Sequence, residues 1–224
     1  MPRVVFTREL NNLQDELLML GSMAMQAVRE SVDALKRQDV EKGRALMRAD
    51  AAINRKRYAI EAECLRLIAT QQPMARDLRL LAAILEIATE LERIGDYAKG
   101  IGKIITLIGT EPPVKPLVDI PIMCDKALDM LRRSLDAFIQ QDAETARAIP
   151  KEDDEIDALY NRVQRDIIEI ILREPTVIDR ANYLLWAAHN LERAADRVTN
   201  ICERVVFTVT GEMMELDMEL DAEG

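Results

Sequence analysis

The sequence predicts an all-α protein: two tandem, similar three-helix antiparallel bundles, six long helices in total. Three observations predict it. Ala, Leu, Met, Glu, Arg and Gln, the strong helix formers, dominate the 224 residues. Gly and Pro, which interrupt helices, number only 8 each, and β-branched residues form no alternating runs. Third, the chain repeats itself. Ser31-Val32-Asp33-Ala34-Leu35 through Gln38-Asp39 recurs as Ser134-Leu135-Asp136-Ala137-Phe138 through Gln141-Asp142, an offset of 103 that continues to Ile53 and Ile156. Pro73 then matches Pro175, and Leu91-Glu92-Arg93 with Asp96 recurs as Leu191-Glu192-Arg193 with Asp196 at an offset of 100. Order and spacing kept over so long a stretch make each copy one structural unit.

Each copy reads as three helices. In the first helix Leu10, Leu13, Leu17, Leu20, Ala24, Ala27, Val28 and Leu35 follow the three-and-four spacing of one apolar face. Asp39 then stands where an N-cap belongs, with Glu41 at the positive end of the next helix, and Asp142 and Glu144 repeat the arrangement. The second helix runs to about Thr70, where Gln72-Pro73 breaks it. A third runs from about Met74 towards Gly109. A helix of that length spans roughly 45 Å, so these are long rods. Four of the eight prolines fall between 112 and 121, which marks the linker. The expected division is a first bundle over 1–109, a Pro-rich linker over 110–117, a second bundle over 118–211 and an acidic tail over 212–224.

Charge and targeting narrow the class further. The net charge is −10, and six acids lie in the last thirteen residues without a base among them. Such a run reads as a solvating segment. The rest of the chain is close to balanced and advertises no phosphate-neutralising surface, so no nucleic-acid partner is expected. The N-terminal MPRVVFTREL lacks a signal peptide's apolar stretch, and the most apolar window, Leu80–Ala88, is far shorter than a transmembrane segment needs. Cys64, Cys124 and Cys202 are scattered and odd in number, which reads as reduced thiols in a cytoplasmic protein. The helically spaced methionines 19, 23, 25, 47, 74, 123 and 130 read as core filling.

The repeated acids carry the candidate chemistry. Glu92 and Asp96 are four apart and project from one helix face, as do Glu192 and Asp196. Like charges at that spacing destabilise a helix by roughly 0.2–0.5 kcal/mol unless something answers them. One answer is a bound cation, since carboxylates supply hard oxygen ligands for magnesium, calcium, manganese or iron. The other is ion pairing with Arg93, Arg193 or a neighbouring helix. In the second copy His189, Glu192, Asp196, Asn200 and Glu203 form one stripe of five potential ligands. The first copy offers Thr89, Glu92, Asp96, Gly100 and Lys103 at the matching places, a poorer set because a protonated lysine is no ligand. With one histidine in the chain there is no Ser-His-Asp or Cys-His arrangement, and no glycine-rich phosphate loop occurs. His189-x-x-Glu192 reverses the Glu-x-x-His order of carboxylate-bridged di-iron bundles.

Gln72-Pro73-Met74-Ala75-Arg76-Asp77-Leu78-Arg79 and Leu91-Glu92-Arg93-Ile94-Gly95-Asp96, with Leu185-Trp186, Leu191-Glu192-Arg193-Ala194-Ala195-Asp196, Asn200, Glu203 and Val209-Thr210-Gly211, resemble the signatures of the PhoU family over nearly the whole length. Ala194-Ala195 departs from the family's usual Ile-Gly, and His189 is not part of its pattern. The resemblance implies a cytoplasmic, often dimeric adaptor rather than an enzyme. Such adaptors are associated with the ATPase subunit of the phosphate importer and with the phosphate-sensing histidine kinase, and hold both down when phosphate is plentiful. In some members the Glu-x-x-x-Asp motifs bind a divalent metal or iron clusters, in others they bind none. Carried over, that points to Glu92 and Asp96, and to Glu192, Asp196, Asn200 and Glu203. Two further readings stand beside it: a metal-dependent helical-bundle enzyme using the His189, Glu192 and Asp196 stripe, and a scaffold whose acids serve only in ion pairs.

Overall fold

The computed structural model describes residues 2–216, and among them it contains helices and no strand. Three helices form the first copy: α1 (Pro2–Arg37), α2 (Val40–Gln71) and α3 (Arg76–Ile108). The second copy holds α4 (Asp119–Gln140), α5 (Ala143–Ala148), α6 (Asp153–Arg173) and α7 (Ile178–Thr210). At about 1.5 Å per residue α3 and α7 are each roughly 50 Å long. No helix among the described residues is long and apolar enough to cross a membrane.

The expected caps form. Asp39 accepts from the Lys42 N–H at 2.9 Å, and Asp142 accepts from the N–H groups of Glu144 and Thr145. Gln38 and Gln141, at matching places one residue earlier, both adopt left-handed backbone with φ of 54° and 57°. The next N–H in each case reaches back to Ala34 or Ala137 at 2.9 Å, so both copies turn the same corner in the same way.

One element departs from the six-rod expectation. The second helix of the second copy is broken into α5 and α6 by a short 3₁₀ segment over Ile149–Glu152. Pro150 lacks an amide hydrogen and cannot continue the α-helical ladder. The first copy has Met47 at the matching place, and its helix α2 runs uninterrupted.

The copies share one continuous apolar core. Helices α3 and α7 pack antiparallel at its centre. Glu86 meets Arg204, Glu90 meets Arg197 and Asn200, and Gly100 faces Asn190, so the numbers rise on one helix as they fall on the other. Helices α1 and α4 pack together as well: Arg29 pairs with Asp125 at 3.1 Å and Gly21 accommodates Leu135. The proline-rich connector is held by Arg180, which bonds the Pro112 carbonyl and the Glu111 carboxylate, each at 3.1 Å. Met123 and Met130 fill the core as expected, whereas Met19, Met47 and Met74 lie exposed, because helical spacing does not say which face is the inner one.

Segment 212–216 does not run free into solvent. Met214 is half-buried beside Arg147, and Leu216 is 5% exposed with its N–H donated to Glu203 at 3.1 Å. The rest of the acidic tail, with Met218, lies outside the described residues.

All three cysteines are buried, and burial pushes each thiol up to about 12. At pH 8 only about one thiol in ten thousand is then the reactive thiolate. In native buffer, 5,5′-dithiobis(2-nitrobenzoate) should release almost no chromophore, and three equivalents should appear on adding guanidinium. Prompt reaction of any one thiol would place it at the surface.

Candidate functional site

The acids of each motif meet residues from the neighbouring helix. In the first copy α2 contributes Asp50 and Asn54, one turn apart, while α3 contributes Glu92, Asp96 and Lys99. Asp50 is 7% exposed. Its Oδ2 accepts from Asn54 Nδ2 at 2.9 Å and from Lys99 Nζ at 2.8 Å, and its buried Oδ1 has no hydrogen-bond partner. Lys99 Nζ also lies 3.3 Å from Asp96 Oδ1. The Glu92 carboxyl is held above its ordinary range, first by burial and then by the charge of Asp96, with Arg57 pulling the other way.

In the second copy α7 contributes His189, Glu192 and Asp196, and α6 contributes Asp157 and Tyr160. Glu192 Oε2 lies 3.0 Å from His189 Nδ1, off the line of a well-formed hydrogen bond. The Tyr160 ring centre is 5.8 Å from that of His189. Burial raises the Glu192 carboxyl, the charges of Asp196 and Asp157 raise it further, and His189 lowers it.

The stripe of five potential ligands is divided between three tasks. His189, Glu192 and Asp196 form the acid face. Asn200 instead donates to Glu90 of α3 at 3.2 Å, within a cluster that includes Arg197 at 3.5 Å and Arg93 at 2.9 Å from Glu90. Glu203 accepts from the backbone of Leu216 and lies 3.6 Å from Arg204. Among the described residues no three His, Cys, Asp or Glu side chains stand together as a set that could hold a metal ion. The chemistry of Glu92, Asp96, Glu192 and Asp196 is that of hard oxygen donors, which suits a divalent cation, and the raised carboxyls of Glu92 and Glu192 would be relieved by one.

Sequence reasoning missed Asp50, Asn54 and Lys99, and Asp157 and Tyr160. The signal was present in the repeat register, where Asp50 matches Asp153, Asn54 matches Asp157 and Arg57 matches Tyr160 at the offset of 103. That register becomes a site only once α2 is known to lie against α3.

Glu192 yields a prediction with a definite sign. Its folded value is raised above the ordinary 4.5, so the charged form is the penalised one. The penalty is present at neutral pH and disappears as pH falls through the folded value. In EDTA, Glu192→Gln should therefore melt above the parent at pH 7, and the gain should shrink to nothing as pH approaches 4.5. A variant that melts lower at pH 7 would show that the carboxylate is held by a favourable contact.

The family model described as the PhoU domain matches the chain twice, over residues 17–105 and 120–205. Among curated relatives, a phosphate-specific transport system accessory protein PhoU homolog of Clostridium acetobutylicum is 34% identical over 218 residues, covering 97% of this chain and all of the relative. That of Aquifex aeolicus is 33% identical, covering 93% of this chain and 94% of the relative. Among solved structures, the phosphate transport system regulatory protein PhoU from Streptococcus pneumoniae superposes with a TM-score of 0.87 at 32% identity, covering 93% of this chain and 99% of that one. PhoU from Pseudomonas aeruginosa gives 0.87 at 30% identity, covering 92% and 100%.

Proposed function

The chain belongs to the PhoU family, and from that premise we propose that it is a regulatory adaptor of phosphate homeostasis, acting in the cytoplasm as a homodimer. It holds down high-affinity phosphate import and the starvation response when phosphate is plentiful. Its partners are the importer's ATPase subunit and the phosphate-sensing histidine kinase, and it carries out no catalysis of its own. The observation that carries this reading is the match in both copies, over nearly the full length, to proteins named as accessory to phosphate-specific transport. Docking on the long exposed helix faces, with occupancy set by the transport state, is the mechanism.

A strain lacking the gene should take up phosphate and express the starvation response even in phosphate-rich medium, and the wild-type gene should restore repression. Normal repression in the deletion strain would sink the proposal. Co-purification with the ATPase subunit and with the kinase, each tested separately, distinguishes the two contacts.

A divalent metal or iron at Glu192 and Asp196 is the accompanying proposal, favoured by the raised Glu192 carboxyl. Glu192 and Asp196 would hold the metal, which would supply positive charge to their carboxylates, while the charges of His189 and Asp157 tune Glu192. Metal retained after desalting, and lost in a Glu192→Ala, Asp196→Ala double variant, is the expected result.

A further inference from the structure

The two acid clusters stand at corresponding places of the repeat yet differ in what answers their charge. In the first, Lys99 reaches between the helices, 2.8 Å from Asp50 of α2 and 3.3 Å from Asp96 of α3. Lys99 corresponds, at the offset of 100, to Thr199, a buried neutral residue. Arg57, whose charge acts on Glu92, corresponds to Tyr160, and neutral Asn54 corresponds to the acid Asp157. The second cluster has thus lost two cations and gained a carboxylate. We infer that Lys99 is the resident cation of the first cluster and keeps metal out of it, so that any metal the protein takes is confined to the second copy.

Geometry and desolvation support this. An ammonium between two carboxylates donates to both and fills the position a divalent ion would need. Hard cations require carboxylate oxygens at about 2.0–2.6 Å, closer than either Lys99 contact, and would have to expel the ammonium against charge repulsion. Asp50 is the independent sign that a cation is required here. It is 7% exposed, and its Oδ1 has no hydrogen-bond partner, so the Lys99 ammonium on Oδ2 is the positive charge that answers it. Removing Lys99 leaves a buried carboxylate uncompensated, which is costly unless a replacement arrives.

The inference about the first copy stands apart from the metal proposal for the second, and the test separates them. Manganese(II) alone is the probe, read as bound metal per chain by equilibrium dialysis and as Tm with and without the ion. Wild type should bind no more than one manganese, and Glu192→Gln, Asp196→Asn should abolish it. Lys99→Met should bind one more than wild type; its Tm should fall in EDTA and recover with manganese, a recovery wild type lacks. Wild type binding two, with one lost in Lys99→Met or Asp50→Asn, would overturn the inference. So would a Lys99→Met variant that gains no manganese. No metal on wild type but one on Lys99→Met would uphold the role of Lys99 and remove the second-copy proposal. Should Lys99→Met fail to fold, Asp50→Asn, Lys99→Met removes both charges. It should fold with a Tm near wild type and no added metal site, and a double variant that stays unfolded would count against the assignment.

Discussion

Gly102→Val should lower stability by about 3 kcal/mol, the upper part of the range for overpacking. For a chain of this size that is a Tm decrease of roughly 6–12 °C. A Cβ at Gly102 would stand 2.9 Å from the carbonyl oxygen of Gly43, and one at Gly43 would stand 2.8 Å from the carbonyl oxygen of Gly102. Backbone thus meets backbone where α2 crosses α3, and neither side can rotate away. Replacing a helical glycine ordinarily gains up to about 1 kcal/mol in propensity, so the contact has to outweigh that gain. Gly100→Ala, two residues earlier, is the control. Its Cβ would meet only the Asn190 amide at 3.0 Å, a side-chain tip able to swing aside, so a neutral or slightly raised Tm is expected. Thermal unfolding of the three proteins side by side decides it: equal behaviour of the two positions would mean that α2 and α3 are not in backbone contact.

The same crossing explains why some of the fold was legible and some was not. The repeat, the caps at Asp39 and Asp142 and the apolar face of α1 are local or periodic signals, and each reappears in the structure. Gly102 carries no such signal in the sequence, because its meaning depends on what lies across from it. Pro150 stands in the sequence as a helix breaker, and the repeat register alone does not show the break because the first copy has Met47 there. The break spares the second copy nothing it needs: the places matching Gly43 and Gly102 hold Ala146 and Cys202, both fully buried, so side chains separate those backbones.

At the acid site the division is similar. Spacing along one helix placed Glu92 with Asp96 and Glu192 with Asp196, but a stripe on one helix does not share one neighbour along its whole length. Asn200 faces Glu90 of α3 and Glu203 serves the returning segment at Leu216. Lys103 drew attention as the lysine that spoils the first-copy set, whereas the lysine that enters the acids is Lys99, seven residues beyond Glu92 and therefore on its face.

The contact between the copies through α1 and α4 can be tested by exchanging size across it. The Cβ of an alanine at position 21 would stand 2.5 Å from Leu135 Cδ1, so Leu135 occupies the space that Gly21 leaves. Leu135→Ala should cost about 2–5 kcal/mol, the transfer term plus the cavity. Gly21→Ala should cost less, because the obstacle is the flexible end of a side chain. Combined, the new methyl group at 21 enters the space vacated at 135, so the double variant should be more stable than the sum of the single losses predicts by about 0.5–3 kcal/mol. The pseudo-symmetric places hold Val32 and Cys124, both buried, an intermediate pair where the first is small against large. Asymmetry of this kind lets two similar bundles pack in one register, since a slide that seats Leu135 elsewhere meets no glycine. Strict additivity in urea unfolding would mean that residues 21 and 135 do not touch, and the shared core would then have to rest on α3 and α7 alone.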